Sequence, residues 1–487
     1  MPLNLDIPLD DTSLDADGKA LLADLQGNIL KGHGREHTAN IFLRFDPAQA
    51  ASVRAWIRGL VKHVTSSEKQ FQATARRKAA IEKAQKANTQ AKIPHSPPVV
   101  FFFLSASGYD ALGIPTGKRP ADAKFAAGQK ASRSDLNDPP SKEWEKHFQD
   151  EISAMVLVGH EDDKALLKVE KALLSKLPHG VHIVGIERGL AWKNLNGDGI
   201  EHFGYVDGRS QPLLLRGDIE QERNSTDGIG IWDPAFPLKQ VLVKDPGGDG
   251  PNSFGSYFVF RKLEQNVAAF KKREDEIADQ LGLKNEAREI VGAMLVGRFE
   301  DGTPVVLQSA EGMHHPVPNN FDYRDDTAGM KCPFHSHIRK TNPRGESPAF
   351  LKAEFGIDIT VMEERSHIMA RRGITYGDRF VSEQNEEGVD FDDDKLPSGG
   401  VGLLFMAYQS DIARQFEFTQ ATWANNTDFV KRGTGIDPVI GQGPKGGQAC
   451  PLKWGEPATK KFGFRHFVTM KGGEYFFAPS ISGLANF

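Results

Sequence analysis

Four times along this chain an apolar, β-prone run passes through a short polar turn into a helical pattern. The pairs are ANIFLRF with DPAQAASVRAWIRGLV (39–61), ISAMVLVGH with EDDKALLKVEKALLSKL (152–177), SYFVFRKLEQ with NVAAFKKREDEIADQLG (256–282) and GLLFMAYQS with DIARQFEFTQATWAN (402–425). The first member of each pair carries strand signals, and the second spaces its apolar residues as one face of a helix. Two such pairs in each half predict a duplicated βαββαβ unit, an α+β fold of antiparallel sheets with helices on one face. Four unrelated β–α pairs in an α/β enzyme are the competing arrangement. At 487 residues the chain exceeds the usual size of one core. The expectation is therefore two halves, 1–222 and 223–487, joined through the Gly-, Pro- and Asp-rich stretch that follows residue 222.

Charge and hydropathy exclude several functions. Lys and Arg total 60 against 65 Asp and Glu, a mild acidity that gives no footprint for a nucleic-acid partner. The longest apolar run, VVFFFL at 99–104, has the length of a strand, far short of the roughly 20 residues that span a bilayer. The acidic start MPLNLDIPLDDTSLD lacks the basic and apolar stretches of a secretory leader, and two cysteines, Cys332 and Cys450, are too few for a disulfide framework. A cytoplasmic protein without a membrane partner is expected. Residues 68–92, polar almost all round, suit a solvent-facing helix or a mobile insertion. In the surface loop 386–400, Asp392, Asp393 and Asp394 form a candidate hard-cation patch, with a solvated acidic loop as the simpler reading.

Three short segments carry the chemistry. FGYVDGRSQP sets Asp207 between Gly204 and Gly208, which let the backbone bend tightly enough to push one carboxylate into a cleft. CPFHSHIRKTNPR (332–344) offers His335 and His337 beside a run of cations, and SHIMARRGITYG (366–377) offers Arg371 and Arg372. Two histidines at this spacing could chelate zinc, but the further ligands of a closed zinc site are not nearby. Cations beside an imidazole suit a metal-bearing cofactor with anionic arms, and haem is one. Cys332-Pro333 invites a haem-thiolate reading, but without the glycine-rich loop such enzymes carry. No Cys-x-x-Cys-His is present, so a haem here is held non-covalently.

In this order, these three segments resemble the signature segments of the dye-decolorizing peroxidases. LQGNILKGHGREHTANIFLRF (25–45), VGRFEDGTPV (296–305), GLLFMAYQ (402–409) and GGEYFFAPSISGL (472–484) look like further landmarks of that family. The resemblance covers almost the whole chain and is to the family's larger members. It implies two ferredoxin-like halves with haem b, one per chain, lodged mainly by the second. It implies His337 as the axial ligand of the haem iron, Asp207 as the distal acid and Arg371 as the distal arginine, with Arg372 the fallback. Arg344 resembles a residue that contacts a haem propionate. Asp437 looks like the acid bonded to the far nitrogen of the proximal imidazole, and Leu403 and Phe405 resemble apolar residues of the distal pocket. Thr375 stands where members often carry Pro.

The implied activity is reduction of hydrogen peroxide and oxidation of bulky aromatic donors, anthraquinone dyes and phenolics, with Mn(II) as a further donor and a high-valent iron-oxo intermediate. An ionised Asp207 can take a proton from one peroxide oxygen and return it to the other. An aspartate in water ordinarily titrates at about 3.9, so such a base favours acidic pH. Arg371 would keep it ionised and stabilise charge on the leaving oxygen. Trp192, Trp232, Trp423 and Trp454 are candidates to relay electrons from the surface, with packing the simpler role for each. The competing functions are a non-catalytic haem carrier or iron-releasing haem protein, which needs His337 but not both Asp207 and Arg371, and a zinc hydrolase using His335 and His337. A homodimer is the assembly kept open.

Overall fold

The computed structural model describes residues 3–86, 95–313, 316–378, 381–385, 388–391, 395–443, 447–464 and 466–487. The candidate cation patch Asp392–Asp394 lies outside these residues.

Eight strands form the frame. In the first half they are β1 (His37–Phe45), β2 (Val99–Leu104), β3 (Ala154–His160) and β4 (Val181–Leu190). In the second half they are β5 (Phe254–Gln265), β6 (Ile374–Tyr376), β7 (Gly402–Gln409) and β8 (Val468–Ala478). Helices Ala50–Leu60 and Asp163–Leu174 follow β1 and β3, helix Val267–Leu281 follows β5, and wide π-type turns over Ala413–Glu417 and Thr419–Ala424 follow β7. Three of the four β–α pairs read from the sequence are present as such, and in the fourth the segment after β7 is π-helical rather than α-helical.

The strand order is β4-β1-β3-β2 in the first half and β8-β5-β7-β6 in the second, antiparallel throughout. Numbered within its own half, each set reads 4-1-3-2, the order of the ferredoxin-like βαββαβ unit. Four unrelated β–α pairs would not repeat it. The two sets then join: β8 pairs with β2 through Phe477 and Leu104. At the opposite edges β6 meets β4, where Thr375 donates its hydroxyl proton to the Leu190 carbonyl. Gly189 permits this approach, because a Cβ there would stand 2.4 Å from Ile374 Cγ2. The halves thus close on each other as a barrel.

Strand β2 shows why its sequence is apolar without alternation. Val99, Phe101 and Phe103 pack into the core between the two sheets with Phe42, Phe258 and Phe476. Val100, Phe102 and Leu104 pack the other way, against Val53, Ile57 and Leu60 of helix Ala50–Leu60. A strand covered on both faces needs apolar residues at every position. The long polar helix Ser67–Lys86 buries Ser67 and Gln70 and is otherwise largely solvent-facing, as its composition predicts. Among the described residues no helix is long and apolar enough to cross a membrane.

Between helix Val267–Leu281 and β6 runs a long excursion of loops and short helices. It carries His337 and Arg344 and builds one wall of a large cavity; β5, β7 and the turn around Asp207 build the rest.

Candidate active site

The cavity encloses about 1580 Å³ with its open mouth counted. Into it project His337, Asp207, Arg371, Arg344, Leu403 and Phe405, residues that lie as much as 198 positions apart in the chain (405 − 207).

His337 is the first residue of the short helix His337–Thr341. Its Nδ1 stands 2.8 Å from Oδ2 of Asp437, a fully buried carboxylate whose other oxygen accepts the backbone N–H groups of Val439 (2.8 Å) and Ile440 (3.0 Å). Asp437 does not line the cavity; it fixes the imidazole from behind. Burial disfavours the imidazolium, but the charge and hydrogen bond of Asp437 more than offset this and leave the His337 pKa above its ordinary value. With Nδ1 so engaged, Nε2 is the nitrogen that remains for a metal, the arrangement that a carboxylate behind a ligating histidine produces.

His335 does something else. It is fully buried, its pKa pushed down to about 3 by burial and then by Lys340, and its Nε2 lies 3.6 Å from Cys450 Sγ. Among the described residues, the cluster with metal-ligand spacing is Glu145, His147 and Glu187, which includes neither His335 nor His337. Among the described residues, His335 and His337 therefore join no zinc-ligand cluster. Cys332 is also buried, its thiol pushed up to about 12 by burial, and it does not line the cavity, so the thiolate reading falls.

Asp207 is presented by a turn in which Gly204 (φ 106°) and Gly208 (φ 82°) both adopt the left-handed region that glycine tolerates. Its Oδ1 accepts from the Gly208 N–H at 2.6 Å and from Arg371 Nη1 at 3.4 Å. Arg371 is tied further to the same loop: Nη2 donates to the Ser210 carbonyl (3.1 Å) and its backbone N–H to Gln211 Oε1 (3.0 Å). Arg372 points elsewhere, donating to the carbonyls of Asn28 and Ile29. This separates the two arginines of the RRGITYG segment.

Arg344, Arg298 and Arg209 share one corner of the cavity. Arg344 donates to the carbonyls of Asn319 and Phe321, to Ser210 Oγ and to Asn319 Oδ1. Burial, with the charge of Arg344 next, lowers Arg298 to about 9; burial lowers Arg344 to about 10, with Arg209 opposing its charge as well. Arg209 is paired with Glu222 at 2.5 Å, whereas Arg298 and Arg344 are buried and repel one another, which marks the corner as suited to anions. Ser210, Gln211, Arg298 and Arg209 were not singled out from the sequence. The first two and Arg209 lie within the FGYVDGRSQP run itself, and Arg298 lies in VGRFEDGTPV.

The residues present fit haem. A neutral imidazole with its Nε2 available suits the iron, Leu263, Val296, Ile338, Leu403 and Phe405 offer apolar walls to a macrocycle, and the arginine corner suits two carboxylates. Fold and site together define a barrel of paired ferredoxin-like sheets with a cavity suited to a haem.

Residues 24–189 match the DyP dimeric alpha+beta barrel domain. The chain is 45% identical over 492 aligned residues to the multifunctional dye peroxidase DyP2 of Amycolatopsis sp. (strain ATCC 39116 / 75iv2), covering 99% of each protein. The solved structure of DyP2 from Amycolatopsis sp. ATCC 39116 superposes with a TM-score of 0.89 at 44% identity over 100% of both chains. That of the DyP-type peroxidase AnaPX from Anabaena sp. gives 0.86 at 41% identity, over 99% of this chain and 98% of the other. The chain belongs to the dye-decolorizing peroxidase family, and it is a haem-dependent peroxidase.

Proposed function

We propose that this chain reduces hydrogen peroxide and draws the two electrons from bulky aromatic donors such as anthraquinone dyes and phenolics. The cofactor in this reading is haem b, one per chain, held without covalent links through His337. The observation that carries the proposal is the presence, in one cavity, of a carboxylate-backed imidazole and a tethered acid–arginine pair. A non-catalytic haem carrier needs His337 alone and has no use for an arginine held at three points beside an acid.

Haem, when bound, supplies the redox centre that accepts and passes on the two electrons. The protein's own groups manage protons and orientation. Asp437 keeps the proton of His337 on Nδ1 and so keeps the Nε2 lone pair for the metal. Cleaving peroxide into water requires a proton to leave one oxygen and arrive on the other. Asp207 faces the cavity as the base that takes it and the acid that returns it. Arg371 fixes the position of that carboxylate and supplies a permanent positive charge for the oxygen that departs. Leu403 and Phe405 exclude water from the reacting region. The buried, unpaired Cys332 and Cys450 accord with a reducing, cytoplasmic setting.

The test is to load the protein with haem and mix it with peroxide and an anthraquinone dye across about pH 3 to 8, with and without Mn(II). Bleaching is expected; its absence at every pH would contradict the proposal. Oxidation of Mn(II) in the same mixtures decides whether the metal is a donor.

A further inference from the structure

The turn that presents Asp207 has a complete account of its backbone donors, and half of them end on one residue. Phe203 N–H donates to Glu201 Oε2 (2.9 Å) and Tyr205 N–H to Glu201 Oε1 (3.0 Å). Gly204 N–H donates to the Glu201 carbonyl (3.0 Å), and Glu201 N–H closes the loop on the Tyr205 carbonyl (3.1 Å). The next two amides leave the turn: Val206 donates to the Glu300 carbonyl (3.1 Å) and Asp207 to the Gly199 carbonyl (2.8 Å). Gly208 donates to the Asp207 side chain. A buried backbone N–H without a partner is costly, so these bonds fix the path of the chain from 203 to 208.

The same carboxylate reaches the barrel. Gln265, at the end of β5, donates its amide to Glu201 Oε2 at 2.6 Å. Glu201 therefore links the turn to the rigid sheet, two residues after Gly199, whose carbonyl holds the Asp207 amide. The side chains of the turn are anchored in keeping with this: Phe203 stacks on Phe270 with centroids 4.0 Å apart, and the Tyr205 hydroxyl donates to Glu274 at 2.6 Å. Glu201 also lines the cavity. Burial and the nearby charge of Asp207 raise its pKa, so an acid here is held against a solvation penalty that its three N–H donors partly repay.

The geometry points to Glu201 as a positioning residue for Asp207: its carboxylate sets the height and angle at which the catalytic acid enters the cavity. Resting on the peroxidase reading of that cavity, this deepens it by naming what holds the proton shuttle in place. Two oxygens are needed, one for each of the Phe203 and Tyr205 amides. A glutamine in this place offers one acceptor, and its NH2 group then opposes one of the two N–H donors. The turn must shift, and displacements of about 1 Å at a reacting group cost on the order of 10²-fold.

Hydrogen cyanide provides a readout separate from turnover, because it gives up its proton to a nearby base as it binds haem. Cyanide dissociation constants of the haem-loaded wild type, Glu201→Gln, Asp207→Asn and the double variant form a cycle. Glu201→Gln is expected to keep its Soret band and to bind cyanide about tenfold more weakly, roughly the loss of one hydrogen bond to a charged group. In the double variant that loss is expected to vanish, since the acid being positioned is no longer there. Full additivity of the two losses, an unchanged affinity in Glu201→Gln, or indifference of cyanide to Asp207→Asn would each overturn the proposal. If Glu201→Gln does not fold, Gln265→Leu cuts the tether to β5 and enters the same cycle with the same criteria. A wild type that binds cyanide yet leaves peroxide untouched would sink the peroxidase reading, and the cycle would still decide the role of Glu201.

Discussion

Arg371 reaches Asp207 with one guanidinium nitrogen while its other terminal nitrogen and its backbone N–H are held by Ser210 and Gln211, three and four residues further along the same loop. Acid and arginine are therefore one mechanical unit although 164 positions separate them. The unit does not rest on the 3.4 Å contact alone, which is long for an ion pair. It rests on a loop that grips the arginine's backbone and head together.

Replacing Arg371 by Lys keeps the charge but loses the fork that serves Asp207 and Ser210 at once. The reaction with peroxide is expected to slow about 10²- to 10³-fold, with haem content unchanged. Stopped-flow absorbance of the haem-loaded variant measures this; a rate equal to wild type would remove Arg371 from the mechanism.

Asp437→Asn tests the other side of the site. Without the carboxylate, His337 loses the partner that makes its imidazole electron-rich. The haem reduction potential is expected to shift positive, because the oxidised iron loses stabilisation. Spectroelectrochemical titration gives the sign directly, and an unchanged potential would mean that Asp437 serves orientation alone.

Barrel closure depends on a missing side chain. In Gly189→Ala the new Cβ would meet Ile374 Cγ2 at 2.4 Å and Thr38 Oγ1 at 2.5 Å. Forced overpacking of this kind costs about 1–3 kcal/mol, and thermal unfolding should report it as a lower Tm. An undiminished Tm would mean that the contact between β4 and β6 bears no load.

Glu274 gives a pH signature of stability. It accepts from Tyr205, lies near Lys271 and Glu300, and is raised by burial to about 7 from 4.5. The folded state thus holds this proton more tightly than the unfolded chain does. Its contribution is complete below about pH 4.5 and is lost as pH rises towards 7. Glu274→Gln should flatten the fall in Tm across that window; an identical slope in both proteins would contradict the assignment.

The parts of this molecule written in periodic patterns were legible in the sequence. Strands β1, β3, β5 and β7 announce themselves as apolar, β-prone runs because most of their positions are buried, and the helices after β1, β3 and β5 through the spacing of the residues they bury. Strand β6 did not, having three residues, too few for a period to show. Nor did barrel closure, which hangs on the absent side chain of Gly189 and the hydroxyl of Thr375. Thr375 stood out as a departure from the family pattern, and the structure gives that position a bond that proline lacks the group to make. At the candidate site, glycines, cations and family order mark Asp207, His337 and Arg371 in the sequence, and the structure brings the three to one cavity. The pairing of Asp437 with His337, 100 positions apart, has no local signal and came through resemblance. Glu201 had none either: its work is done on backbone N–H groups, which carry no sequence identity.

The central claim is that one cavity holds a haem ligand, His337, and a separate proton shuttle, Asp207. Haem retention and the rate of reaction with peroxide, measured side by side in His337→Ala and Asp207→Asn, test it most directly. The account predicts that His337→Ala loses the Soret band, while Asp207→Asn keeps it and reacts about 10²- to 10⁴-fold more slowly. Equal loss of haem in both variants would contradict it, because Asp207 would then be a structural residue of the pocket.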